Sequence, residues 1–270
     1  RAFESRLRSK SKRIFDIWHK CNMDWEQTAF AWMCRHMGFK VNNEVFEVLG
    51  LSVPYRILQK HRDRPDQVEA LVFGMAGLLE SGFAQDEYGN SLRKEFRFLS
   101  YKYNLKPRIK AHEWKFLRLR PANFPTVRLA QLSAILIRRP SLFNWLLDSF
   151  NKDSELRVSG YWQRHYYFGK MTDKAPGFMG EVTWRHLWMN VVPPLQYSLA
   201  VKRGSSTQHI AAAFGSLKAE NNRITRRWEK AGVYMETALD SQSYYALFEQ
   251  GCKLRKCLEC PVGIELLKSA

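Results

Sequence analysis

The chain has 270 residues, 45% of them hydrophobic and 14% aromatic, enough to bury one large core or two smaller lobes, so a folded globular chain is expected. Lysine and arginine number 43 against 26 aspartates and glutamates, a formal net charge of +17 that attracts polyanions through screened Coulomb forces and makes nucleic acid the first candidate partner, unless the excess only keeps the fold soluble. No stretch approaches the ~18 to 20 consecutive apolar residues that cross a bilayer, and the basic opening RAFESRLRSKSKRIF does not look like a signal peptide, having no long apolar core behind it, so neither a membrane span nor a signal peptide is expected in these residues.

The opening segment places Phe3, Leu7, Ile14, Ile17 and Trp18 at three-and-four spacing, with Arg6, Arg8, Lys10, Lys12 and Arg13 on the wetter sides, which predicts an amphipathic helix. Asn22 or Asp24 caps a second helix carrying Trp25, Ala29, Phe30, Trp32 and Met33, stopped at Gly38. Val45 to Leu49 and Tyr55 to His61 read as shorter helices around Pro54. Asp63 is the expected cap of a helix starting at Pro65, whose Gly74 and Gly77 suit close helix packing. Phe83 to Tyr103 predicts a helix with Leu92, Phe96, Leu99 and Tyr103 on one side, and Pro107 ends the pattern.

Within WKFLRLRPANFPTVRLAQLSAILIRRP, Phe116, Leu117 and Leu119 alternate with Arg118 and Arg120 before two prolines bracket Ala122 to Phe124, predicting an extended approach to a helix that begins at Pro125 and closes at Pro140. Further helices are expected over Ser141 to Phe150, Gly160 to Phe168, Val182 to Val201 with Pro193 and Pro194 inside, Ser206 to Leu217, Asn221 to Ala231 and Ser241 to Leu254. The polar run from Gly169 to Gly180 is the candidate mobile loop. With no β-branched alternation between hairpin turns, the predicted fold is all-α, a multi-helix orthogonal bundle of one domain or two lobes.

Five cysteines cannot all pair internally, which fits a reduced, cytoplasmic setting. Cys252, Cys257 and Cys260 have the spacing C-x4-C-x2-C, and the cations Lys253, Arg255 and Lys256 between them are expected to favour thiolates that bind zinc or an iron–sulfur cluster. Either site needs a fourth ligand, from Cys21, Cys34 or a histidine. The alternative is reduced thiols packed against Leu254, Leu258 and Val262.

Lys115, Arg118, Arg120 and Arg128 are a candidate anion clamp on a proline-stiffened backbone, or guanidiniums that cap neighbouring carbonyls. Arg164, in the aromatic run Tyr161 to Phe168, adds a cation to a surface on which unpaired bases stack, unless those rings fill a core. Arg223, Arg226, Arg227 and Lys230 read as a solvated helix face, and Asp24, Glu26, Glu69 and Glu80 as caps or surface carboxylates. The seven histidines have no metal spacing, and no acid, base or nucleophile constellation emerges.

The segments DWEQTAFAWMCRHMGFKVNNEVFEVL, EALVFGMAGLLE, EFRFLSYKYNL, FLRLRPANFPTVRLAQLSAIL, YWQRHYYFGK and CKLRKCLECPVG occur in this order in a bacterial family catalogued as domain of unknown function 2851, which the chain resembles over nearly its whole length. The resemblance places Pro121, Asn123, Phe124, Pro125, Arg128 and the three C-terminal cysteines in the family's characteristic motifs. It implies that the chain is the helix-rich C-terminal portion of a longer protein. The family's N-terminal portion carries GPDF- and VEIH-type segments similar to nuclease-like carboxylate patterns. Neither segment occurs here, and the first residue is Arg, so an upstream domain is expected to be missing.

The expected function is a structural or interaction module. The alternatives are a nucleic-acid-binding accessory region to a nuclease-like domain and a cysteine-based metal module.

Overall fold

The computed structural model describes residues 2–80, 82–149 and 156–268, which form helices and one two-stranded antiparallel hairpin. The all-α reading therefore holds. The chain divides into two compact units, one of Ile14–Leu195 and one of Arg1–Arg13 with Gln196–Ala270.

Helix α1 (Ala2–Lys20) buries all five of its predicted apolar positions. In the larger unit, α2 (Trp25–Met37) is capped by Asp24, whose carboxylate accepts from the amides of Glu26 and Gln27. A single side chain organises the next turn. Gln27 donates to the carbonyls of Gly50 (2.7 Å) and Val53 (3.0 Å) and accepts from the amide of Tyr55 (2.8 Å), which joins α3 (Asn43–Ser52) to α4 (Tyr55–Lys60) across Pro54. These contacts satisfy end groups of both helices that would otherwise be left without partners.

Helix α5 (Pro65–Met75) begins with Pro at its first position as predicted, but its cap residue is Arg64 and makes no side-chain cap bond, so Asp63 does not have the expected role. Proline has no amide to be capped at that position, which removes part of the need for an acceptor. The two glycines after it act differently from each other. A Cβ on Gly74 would run into the Phe96 ring of α6 (Glu87–Tyr103), so this glycine does permit close helix packing. Gly77 has φ +70° and faces the Ile109 carbonyl, which makes it a turn residue where a side chain would be both strained and obstructed.

Helix α7 (Pro125–Arg138) starts at the predicted proline and is buried over most of its length. A short α8 (Leu142–Asn144) runs into a π-helical turn over Trp145–Ser149; the predicted end of this helix at Phe150 lies outside the described residues. The aromatic run departs from its helical reading. Residues 160–164 form a turn, and β1 (His165–Tyr167) pairs with β2 (Lys170–Met171) around Gly169, whose φ of +68° suits a tight reversal. Aromatic residues fit a pleated strand as readily as a helix, so side-chain type alone did not separate the two. Helix α9 (Glu181–Arg203) passes through Pro193 and Pro194, and the Trp32 indole donates to its Val191 carbonyl at 3.2 Å.

The smaller unit holds α10 (Gln208–Gly215), α11 (Arg223–Lys230), α12 (Ala238–Gln250) and α13 (Pro261–Lys268). Phe3 meets Phe214 edge-on at 4.8 Å, the hydroxyl of Ser198 donates to Ser11, and Arg6 donates to Gln242 at 2.7 Å while lying over the Tyr245 ring. Among the described residues no helix is long and apolar enough to cross a membrane.

Candidate functional site

Beyond Asn104, whose left-handed φ of 50° ends α6, the chain leaves regular structure until Pro125, with only two 3-10 turns at Ala111–Glu113 and Pro121–Asn123. Apolar side chains fasten this ribbon to the larger unit at intervals. Ile109 and Trp114 are buried, the Trp114 indole donates to the Ala76 carbonyl at 2.7 Å, and Phe116 packs edge-on to Phe124 and Tyr167. Buried Asn42 clamps the backbone of Lys115 from both sides, donating to its carbonyl and accepting from its amide, each at 2.9 Å.

Along the last turn of α6 and the ribbon that follows it, the cations are exposed. Lys102, Lys106, Arg108, Lys110, Lys115, Arg118 and Arg120 are all exposed, and the only carboxylate in that span is Glu113, which accepts from the backbone amide of Lys110. None of the seven forms an ion pair among the described residues. Leu117 breaks the predicted alternation and stands 84% exposed, because Arg118 adopts φ 62° and turns the chain there.

The five candidate anion-binding residues do not form one groove. Lys115, Arg118 and Arg120 share the ribbon. Arg128 is 4% exposed inside α7, where its terminal nitrogens donate to Gln131 (2.8 Å), Asn123 (2.5 Å) and, at 3.5 Å, Thr183. These acceptors are side-chain oxygens, so Arg128 caps no helix carbonyl, and burial pulls its pKa down to about 10. Arg164 is exposed and lines a separate cavity of about 530 Å³ with Gln163, Thr172 and Asp173.

The aromatic run fills a core. Trp162 is fully buried and stacks on Phe73 at 5.0 Å with the planes 3° apart, and Phe168 meets both rings edge-on. Tyr161 lies between Tyr88 (3.9 Å) and His165 (3.8 Å) in a three-ring stack. The phenol of Tyr161 donates to Asp86, whose carboxylate also accepts the amide of Gly169 at 2.8 Å, and the phenol of Tyr88 donates to Glu69.

Glu69 corrects a sequence reading, because it is 3% exposed and not a surface carboxylate. Burial raises its pKa above the ordinary 4.5, against the opposing effect of the Tyr88 and Ser159 hydroxyls. Between the unfolded and the raised folded pKa the folded chain binds more protons than the unfolded one. Unfolding free energy therefore falls as pH rises from about 4.5 through the folded value, and the penalty is complete above it. Glu69→Gln removes the charge and keeps an acceptor for Tyr88. The variant is expected to be at least as stable as the parent at about pH 7 and to lose that advantage at about pH 4, as read by urea melts at both values. An equal loss of stability at both would contradict this account of Glu69.

In the smaller unit, Cys252 and Cys257 are exposed, Cys260 is half-buried, and none forms a disulfide. The expected lowering of thiol pKa is corrected for Cys252, which is raised by partial desolvation and by its neighbours Cys260 and Cys257. The nearby lysines are engaged with carboxylates, Lys253 with Glu249 (2.7 Å) and Lys256 with Glu259 (3.2 Å). Leu254 and Leu258 are exposed, so these leucines do not pack the thiols away, while the side chain of Val262 lies outside the described residues. Cys21 and Cys34, the proposed extra ligands, are buried in the larger unit. Among the described residues no group of three or more His, Cys, Asp or Glu side chains is placed to hold a metal ion.

The family model described as "Protein of unknown function (DUF2851)" matches residues 1–223, and the chain belongs to that family. The match covers the ribbon and Arg128 and stops before the three clustered cysteines. No curated protein and no solved structure matches the chain.

Proposed function

We propose that this chain is a helical interaction module that holds the phosphate backbone of nucleic acid on residues 102–120, the last turn of α6 and the ribbon after it. The observation that supports this reading is the local charge imbalance, seven exposed cations without ion-pair partners among the described residues against one carboxylate. Each cation that meets a phosphate releases a condensed counterion, a gain that depends on unpaired charge and not on base sequence. A lysine already paired with glutamate would have to give up that partner first. The anchors at Asn42, Trp114 and Phe116 hold the ribbon's backbone in place, so little backbone entropy is lost when a polyanion docks. Nothing in this geometry reads bases, and the module is expected to accept single and double strands of any sequence.

A lysine footprint tests the assignment. The protein is acetylated with a limiting amine-reactive reagent, with and without a saturating oligonucleotide at low ionic strength, and modification is read by mass spectrometry. Lys102, Lys106, Lys110 and Lys115 are expected to be protected several-fold, and Lys60 and Lys230 to react equally in both states. Equal reactivity throughout, or protection confined to Lys230 on the basic face of α11, would remove the ribbon from the account.

A further inference from the structure

One face of α6 stands open to solvent. Leu92 and Leu99 are buried on the inward side of the helix, where Phe96 packs against Gly74 of α5. The exposed positions from Ser91 onward are Ser91, Lys94, Arg97, Phe98, Tyr101 and Lys102. They recur at spacings of three and four and so share one stripe of the helix surface. No carboxylate stands on this stripe, since Glu95 is half-buried and accepts from Gln67 at 2.6 Å. Neither Lys94 nor Arg97 forms an ion pair among the described residues.

Two large rings sit within the stripe, Tyr101 at 91% exposure and Phe98 at 57%. A single exposed aromatic is ordinary on a protein surface. Here two stand three residues apart on one helix, with Cβ atoms about 5–6 Å from each other, among cations and no acid. Lys102 leans over the Phe98 ring at 5.9 Å and over Tyr103 at 5.2 Å, and it opens the run of charge that continues through Lys106 and Arg108. Rings interleaved with unpaired cations match the two chemistries of a single strand, flat base faces and phosphates. An acidic peptide would use the cations and leave the rings in water. A duplex would do the same, because its bases lie on one another and present only their edges in the grooves, so a protein ring reaches a base face only by unstacking a step at a cost. Unpaired bases use both.

We infer that the Phe98 and Tyr101 face of α6 is a stacking platform for unpaired bases, so that the chain holds single strands more tightly than duplexes. The inference rests on the phosphate-binding reading of residues 102–120, to which Lys102 joins it, and adds a contact that distinguishes one strand from two. Phosphate contacts still admit a duplex, at the affinity the cations alone provide. Every base has a π-face, so the platform selects for strandedness and not for sequence. Stacking of one base strengthens binding about 5-fold at the low end of known platforms, so the two rings are expected to contribute at least about 10-fold to single strands and nothing to duplexes.

The test separates bases from phosphates. Fluorescence anisotropy at one low salt concentration measures binding of a labelled thymidine strand, of an abasic tetrahydrofuran strand of equal length, and of a duplex of that length. The parent chain is expected to bind the thymidine strand at least about 10-fold more tightly than the abasic one. In the double variant Phe98→Ala with Tyr101→Ala that difference is expected to vanish, with abasic and duplex affinities within about 2-fold of the parent. The exchange Phe98→Tyr with Tyr101→Phe keeps both rings and is expected to keep the difference. Both residues are exposed, so the urea midpoint of each variant should match the parent. If the parent binds thymidine and abasic strands equally, if the difference survives the alanine variant, or if that variant weakens all three ligands alike, the platform is wrong while the phosphate reading stands. If the parent binds none of the three, the phosphate reading fails and the platform with it.

Discussion

Replacing Trp162 with alanine is expected to lower the unfolding free energy by about 3–5 kcal/mol, a large fraction of the total available to a natural domain. The indole is fully buried, with Phe73 stacked on its face and Tyr161 and Phe168 against its edges at 5.0 and 5.3 Å. Truncation forfeits the transfer free energy of the ring and leaves a cavity between elements distant in sequence, α5 on one side and the 160–168 turn and strand on the other. Urea denaturation followed by circular dichroism measures the loss. The same variant separates the two readings of the aromatic run: a core residue costs stability, whereas a base-stacking platform would cost nucleic-acid affinity and spare the fold. A loss below about 1 kcal/mol would contradict the packing assigned to Trp162.

The second large effect concerns binding. Neutralising Lys115, Arg118 and Arg120 together to glutamine is expected to weaken single-stranded DNA binding several-hundred-fold at low salt, since each lost phosphate contact costs roughly 8-fold near 50 mM. All three are exposed surface residues, so stability should change little. Neutralising Arg223, Arg226 and Arg227 on α11 removes the same amount of charge elsewhere, and the reading predicts a far smaller loss for that variant. If the two triple variants lose affinity equally, only the net charge matters and the ribbon has no special role.

Much of the helical skeleton was legible because its signals are local. The spacing of Phe3, Leu7, Ile14, Ile17 and Trp18 needs no knowledge of the partner surface, and Asp24, Pro65 and Pro125 mark helix starts through their own backbone chemistry. Asp63 misled because an acid just before a proline looks like a cap, while the helix is entered through Arg64. The run from Tyr161 to Phe168 misled because its rings are compatible with both periodicities; the deciding feature, Gly169 held by Asp86 from the start of α6, is far away in sequence.

The site residues were harder for the same reason. In RLRPANFPTVR the three arginines look equivalent, yet two face solvent and Arg128 is buried. What separates them is Phe39, eighty-nine positions upstream, and Gln131 and Thr183 beyond the motif. Glu69 was misread because a carboxylate in an apolar helix is ordinarily on its wet side. Its partner Tyr88 lies on α6, and no spacing rule connects the two. The ribbon was only half seen: Lys115, Arg118 and Arg120 stood out beside the prolines, whereas Lys102, Lys106, Arg108 and Lys110 join them only once Ile109 and Trp114 are known to turn inward.

The central claim is that unpaired charge on the ribbon captures phosphates, and the salt dependence of wild-type binding tests it most directly. Fluorescence anisotropy with a labelled single strand between about 50 and 200 mM salt should give log K against log salt a slope near −5 if all seven cations engage, falling by about 2 in the triple ribbon variant. A slope shallower than about −1, or the same slope in both proteins, would contradict it.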